Sequence, residues 1–272
     1  MATRLAQRRP KVPVVAVVAG CDPTGGAGIV ADVRSLEALG VYPAAIVTAV
    51  TVQDGARVIE VSAVAPELVR RQLECVLDSL PVRVVKCGML ARPATTAAVA
   101  AAVGRREVAL VLDPVLRASG GEALASRGML EAMRTGLVPL ATVVTANLDE
   151  AARLTGLSVA NEEEMVAAGR RLLALGARAA VVKGGHLAGE PVDVLCHGRR
   201  VVRYPGGRIG QVAMHGSGCA FASALAAGLA RGRPIAGAVE YARAHVRDLI
   251  SRSWSTQRGA RLRPAGKADR SG

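Results

Sequence analysis

Aromatic side chains are nearly missing from this chain of 272 residues, which has one Phe, one Trp and three Tyr. So few rings leave little material for the stacking platforms that hold single-stranded nucleic acid, and no specific nucleic-acid partner is expected. Lysine is scarce as well: of 35 basic residues only Lys11, Lys86, Lys183 and Lys267 are lysines. No apolar run approaches the roughly 18 residues of a membrane span, and the opening MATRLAQRRPKVP is followed by no signal-like segment. No membrane partner is expected. The five cysteines, Cys21, Cys75, Cys87, Cys196 and Cys219, show neither C-x-x-C spacing nor a disulfide framework. A cytoplasmic protein with reduced thiols is the expectation.

What is present points to an ordinary globular core, since 51% of the residues are hydrophobic. The net charge of +13 sits mostly at the ends, in Arg4, Arg8, Arg9 and Lys11 and in Arg252, Arg258, Arg261, Arg263, Lys267 and Arg270 against Asp269. The body is close to neutral. The chain therefore divides into a basic, unstructured tail over 1–12, one domain over 13–250, and a second basic, unstructured tail over 251–272.

Short β-branched runs alternate with segments of helical period. VVAVVAG (14–20) precedes a glycine-rich turn and GIVADVRSLEALG, where Ile29, Val33, Leu36 and Leu39 share a face. AAIVTAV (44–50), RVIEVSAV (57–64), VRVVKCG (82–88), EVALVLDP (107–114), ATVVTAN (141–147) and ARAAVVKGG (177–185) continue the pattern, and a helix opens at Pro66. VDVLCHGRRVVRYPG reads as a hairpin, and two helices follow from about Gly218 and Pro234. Such alternation predicts an α/β fold with a mostly parallel sheet and helices on both faces. Ligands in such folds bind beyond the carboxyl ends of the strands, where Asp22, Lys86, Asp113, Asn147, Glu150 and Lys183 stand.

Each motif has a bland reading beside a chemical one. GCDPTGGAG (20–28) suits close approach to an anion at a helix start, yet it matches neither G-x-x-x-x-G-K-[ST] nor G-x-G-x-x-G and reads equally as a tight turn. Asp113, directly after an apolar strand, suits a magnesium-bound water or a turn cap before Pro114. Asn147 and Glu150 are either a capping box or a pair facing hydrated magnesium. Lys183 in KGGH suits a phosphate or simply solvent. His186, His197, His215 and His245 have no metal-ligand spacing and read as structural or solvated, so no zinc site is expected. In HGSGCA the N–H groups of Gly216, Ser217, Gly218 and Cys219 would form an anion hole, and the helix dipole would lower the thiol's pKa. Otherwise Cys219 is a small packing residue.

Taken in order, AGCDPTGGAGIVADVRSLEALGVY, TAVTVQD, KCGML, LDPVL, TANLDEAARL, VVKGGH and HGSGCAFASALA resemble the hydroxymethylpyrimidine and phosphomethylpyrimidine kinases of thiamine biosynthesis. The resemblance runs from about residue 14 to 250. It implies a ribokinase-like three-layer α/β/α sandwich, a homodimer, and ATP- and Mg2+-dependent phosphorylation of 4-amino-5-hydroxymethyl-2-methylpyrimidine and then of its monophosphate. It further implies that Cys219 is the base at an anion hole of Gly216, Ser217 and Gly218. Lys183, Asn147, Glu150 and Asp113 would serve ATP and phosphate, with Asp113 and Glu150 reaching magnesium through water. Gly20, Asp22, Gln53, Met89 and Val115 would hold the pyrimidine, and the amide of Gln53 suits an aminopyrimidine because it both donates and accepts. The chain departs from the family pattern at Ala213-Met214, at Ser119 and at Ala146. Two other readings stand beside this one: a pyridoxal kinase-like enzyme, or a catalytically degenerate pyrimidine-binding sensor.

Overall fold

A computed structural model describes residues 12–54, 57–117, 124, 126–185, 187, 190–206, 215–256 and 259–261. Ser119, His186, Ala213, Met214 and most of both basic ends lie outside the described residues. The strands are β1 (Val14–Cys21), β2 (Tyr42–Gln53), β3 (Val58–Ala63), β4 (Val82–Cys87), β5 (Ala109–Leu112), β6 (Val143–Asn147), β7 (Ala179–Lys183), β8 (Val192–His197) and β9 (Arg200–Pro205). Among the described residues these form one nine-stranded sheet in the order β3-β2-β1-β4-β5-β6-β7-β8-β9. The strands from β2 to β7 run parallel, whereas β3, β8 and β9 join through antiparallel pairings.

The strand period of two explains the layers. Val15, Val17 and Ala19 point to one face of β1, while Ala16 and Val18 point to the other, and each set enters a separate apolar cluster. The helices α1 (Gly28–Ala38), α7 (Ser217–Ala230) and α8 (Ile235–Ser251) cover the first face. The helices α2 (Pro66–Ser79), α3 (Pro93–Val103), α4 (Met129–Ala132), α5 (Leu148–Thr155) and α6 (Glu162–Ala174) cover the second. This is the expected three-layer sandwich. Fully buried Leu36, Leu73, Leu110 and Leu154 anchor its two cores, each contributing about 1.5–3 kcal/mol by leaving water. No helix among the described residues is long and apolar enough to cross a membrane.

Two expectations need correction. The buried face of α1 is Ile29, Asp32, Ser35 and Leu36, not the purely apolar set with Val33 and Leu39. A carboxylate displaces a valine from the inner face because it finds a cation there. The segment expected as an unstructured tail also holds a hairpin, in which β10 (Trp254–Thr256) pairs antiparallel with β11 (Gly259–Arg261). Trp and Thr favour extended backbone, which net charge alone does not reveal.

Candidate active site

The first strand-to-helix loop is organised by Asp22. Its Oδ1 accepts from the N–H and hydroxyl of Thr24, both at 2.8 Å, and its Oδ2 accepts from Ala27 N–H at 2.9 Å. His215 Nε2 lies 3.1 Å from the same Oδ2 and ties this loop to the start of α7. Burial alone would raise the Asp22 carboxyl, but the hydrogen bonds from His215 and Thr24 outweigh it and hold the pKa below the usual value. Gly216, with φ of +83°, caps α7, and a Cβ there would collide with the Gly26 carbonyl oxygen. Only glycine lets the two loops touch.

Lys183 ends β7 and stands over that helix start. Its Nζ is 3.4 Å from Asp113 Oδ1 and 5.9 Å from the Phe221 ring centroid, and a methyl placed on Gly218 would sit 3.4 Å from it. Asp113 is fixed from behind by Thr145, whose hydroxyl donates at 3.3 Å, and by its own N–H donating to the Cys87 carbonyl at 2.8 Å. Burial disfavours the Lys183 charge, but Asp113, Glu150 and Cys219 raise its pKa. Asn147 and Glu150 do form the capping box of α5, each accepting from the other's N–H at 2.8 Å. Burial pushes Glu150 up to about 7, with Lys183 opposing the rise and Asp113 adding to it. The capping reading therefore holds, and the same pair lies within the electrostatic reach of Lys183.

An apolar cluster stands at the ends of β2, β4 and β5. Met89 and Val115 pack with Ala49, Ala91 and Leu124, and a methyl on Gly20 would approach Met89 Sδ to 2.8 Å. The Thr48 hydroxyl holds the Met89 carbonyl at 2.6 Å, and Thr51 holds the Cys21 carbonyl at 2.9 Å. Gln53 lies two residues beyond Thr51 at the tip of β2 and is half-buried. Gly20, Met89 and Val115 are thus brought together. Asp22 lies nearby, with both oxygens engaged by the loop itself.

A family model described as phosphomethylpyrimidine kinase matches residues 22–263. The chain belongs to this family. It is 44% identical over 236 residues to a hydroxymethylpyrimidine/phosphomethylpyrimidine kinase of Rhizobium meliloti, covering 86% of this chain and 89% of that protein. Among solved structures it is similar to a pyridoxal kinase of Bacillus subtilis in complex with ADP, at 29% identity and a TM-score of 0.87, covering 93% of this chain and 97% of that one. It is also similar to a phosphomethylpyrimidine kinase of Clostridium difficile, at 32% identity and a TM-score of 0.78, covering 88% of this chain and 100% of that one. The fold is ribokinase-like, and the protein is a kinase of the phosphotransferase class that uses ATP.

In this kinase the thiol departs from expectation. Burial pushes Cys219 up to about 12; Lys86 opposes the rise, whereas Asp32 and Asp113 add to it. The hydrogen bond from Gly28 N–H opposes the rise without offsetting the lost hydration. The expected depression by a helix dipole is thus corrected: without ligands the thiol keeps its proton. Sequence reasoning also set His215 aside and missed Asp32, Ser223 and Gly28. A signal for Asp32 was present, since an acid falls at an inward position of an amphipathic helix. Of the departures from the family, Ala146 is fully buried in β6.

Proposed function

We propose that this kinase transfers the γ-phosphoryl group of ATP to the hydroxymethyl oxygen of 4-amino-5-hydroxymethyl-2-methylpyrimidine, and then a second phosphoryl group to the monophosphate. The product is the pyrophosphate used for thiamine. The observation that carries this reading is the meeting of Lys183, Asp113 and the N-terminus of α7 beside the apolar wall of Gly20, Met89 and Val115. In the first step Cys219, having given its thiol proton to solvent, accepts the hydroxyl proton as the thiolate, the oxygen attacks the γ-phosphorus, and the bond to the β-phosphate oxygen breaks to release ADP. The N–H groups of Gly216, Ser217, Gly218 and Cys219 and the Lys183 ammonium face the moving phosphoryl group and stabilise its charge. The second acceptor is a phosphate oxygen that is already anionic, so that step depends on positioning and charge rather than on a base. Gly20, Met89 and Val115 sandwich the ring, while Gln53 and Asp22 approach its polar edge.

The donor set suits magnesium held through water. Asp113 and Glu150 offer hard carboxylate oxygens with Lys183 as their shared counter-charge, and among the described residues no three His, Cys, Asp or Glu side chains cluster as direct ligands. Asp113 and Glu150 would hold it, with Asn147 beside them, and it would supply positive charge to the ATP phosphates. Val50 and Val52, 54% and 51% exposed on one side of β2, support a homodimer, which analytical ultracentrifugation checks. The five free cysteines fit the reducing cytoplasm. The deciding experiment offers purified enzyme ATP and magnesium with the pyrimidine, its monophosphate or pyridoxal, and identifies products by mass. Two successive phosphorylations of the pyrimidine are expected; turnover of pyridoxal alone, or ligand binding with no turnover, overturns the reading.

A further inference from the structure

Beneath the first turn of α7 lies a charged cluster that substrate cannot reach. Lys86 on β4 and Asp32 on α1 are both fully buried, and their Nζ and Oδ2 atoms are 2.7 Å apart. The other oxygen, Oδ1, accepts from the Ser223 hydroxyl at 2.8 Å, and Ser223 stands one helical turn after Cys219 on α7. Burial pushes the Asp32 carboxyl up, and the Lys86 ammonium and the Ser223 hydroxyl, one on each oxygen, oppose that rise. Burial pushes the Lys86 ammonium down, but Asp32, Cys219 and Asp113 outweigh that push and keep it charged. Nζ also approaches to 3.0 Å the place a Cβ would occupy on Gly88, so the ammonium lies directly under the strand end that leads to Met89.

A buried ion pair of this kind is rarely a source of net stability, since apolar side chains of similar size serve as well or better. Its geometry suggests another use. Among the described residues, charges from four parts of the fold act on the Cys219 sulfur: Lys86 from β4, Asp32 from α1, Asp113 from beyond β5 and Lys183 from β7. Lys86 acts more strongly on the thiol than Asp32 does, and in the opposite direction.

We propose that Lys86 is a positioning residue for the phosphoryl transfer: held by Asp32 and Ser223 under the α7 N-terminus, its ammonium stabilises the Cys219 thiolate and so sets the strength of the base. Asp32 and Ser223 tie that charge to the same helix that carries the thiol, so distance between them is fixed by α7 itself. The proposal rests on the reading of Cys219 as the base. The proton of the substrate hydroxyl moves to the sulfur, and Lys86 keeps its own protons throughout.

The test is the rate at which iodoacetamide alkylates Cys219 in the full chain over a pH series, followed on the Cys219 peptide by mass spectrometry so that the other cysteines do not contribute. Lys86→Met slows this rate at least about tenfold at fixed pH, since a thiol pKa higher by one unit means tenfold less thiolate. Asp32→Asn removes the counter-charge and speeds it. Opposite signs mark electrostatics, whereas a loosened fold exposes the thiol and speeds both. Because Lys86→Met leaves a buried anion unpaired and can prevent folding, Lys86→Met/Asp32→Asn replaces the pair by neutral groups; alkylation is slower there too, as the ammonium dominates at the sulfur. In the same variant kcat for the pyrimidine falls while KM for pyrimidine and ATP stays within about twofold. Equal signs in the two single variants, or an unchanged rate in the double variant, overturn the proposal. Cys219→Ala separates it from the base reading: retained kcat in Cys219→Ala defeats that reading and with it the proposed role, whatever the alkylation rates, while lost kcat with unmoved alkylation defeats the Lys86 proposal alone.

Discussion

Two stretches of this protein read almost alike, VVKCG at 84–88 and VVKGG at 181–185, and the structure uses them differently. In the first, Lys86 is the penultimate residue of β4, flanked by Val17 on β1 and Val111 on β5 and covered by α1 and α7. In the second, Lys183 is the last residue of β7, paired with Asn147 and with Asp193 at the sheet's antiparallel margin. One residue of register and a different neighbour separate an ammonium with no exposure from one that is 16% exposed beside the start of α7. An isolated lysine among arginines is therefore a signal of constraint, but the constraint itself comes from what packs against the strand end. Lys86 needs a compact charge that fits inside a core, and Lys183 needs a reach that ends at the start of α7.

Substitution at the two lysines sharpens this contrast. The largest expected effect is on stability: Lys86→Met leaves Asp32 buried and unpaired and costs about 3–5 kcal/mol, read as a lowered urea midpoint. Lys183→Met should lower the urea midpoint less than Lys86→Met does, since Lys183 is partly exposed and its contact with Asp113 is longer, and it should lower kcat by about 10²–10³-fold in steady-state kinetics, the loss typical of one transition-state charge contact. A large stability loss at Lys183, or none at Lys86, breaks the comparison. Lys86→Met/Asp32→Asn should recover most of the stability lost by Lys86→Met, to within about 1–2 kcal/mol of the parent, because no unpaired charge remains. The smallest effect concerns the neighbour of Lys183: Asn147→Ala removes the cap of α5 and lowers stability by about 1 kcal/mol, measured by thermal unfolding.

Much of the fold was legible because the strand and helix periods are strong. The runs at 14–20, 82–88 and 141–147 became β1, β4 and β6 with ends shifted by one or two residues, and Pro66 opens α2 as read. β2 runs from Tyr42 to Gln53, well beyond the run at 44–50, since pairing with β3 extends it past the parallel sheet. Of the candidate site, Asp113, Lys183 and the turn at 216–219 could be read from their places at strand and helix ends. The roles of Asp32 and Ser223 could not, because each is a polar residue in a helix whose partner lies 54 or 191 residues away in sequence. Asp22 was read as a ligand contact, yet its carboxylate also holds Thr24 and Ala27 in one loop and joins that loop to His215 before α7.

By itself the sequence determined the layers and where the strands end, since these follow from local period. Only the tertiary structure decided which lysine is buried, which acid answers it, and that Cys219 keeps its proton without ligands. Those outcomes depend on desolvation and on charges brought together from β4, α1, β5 and β7, and electrostatic energy is set by distance in space rather than by distance along the chain.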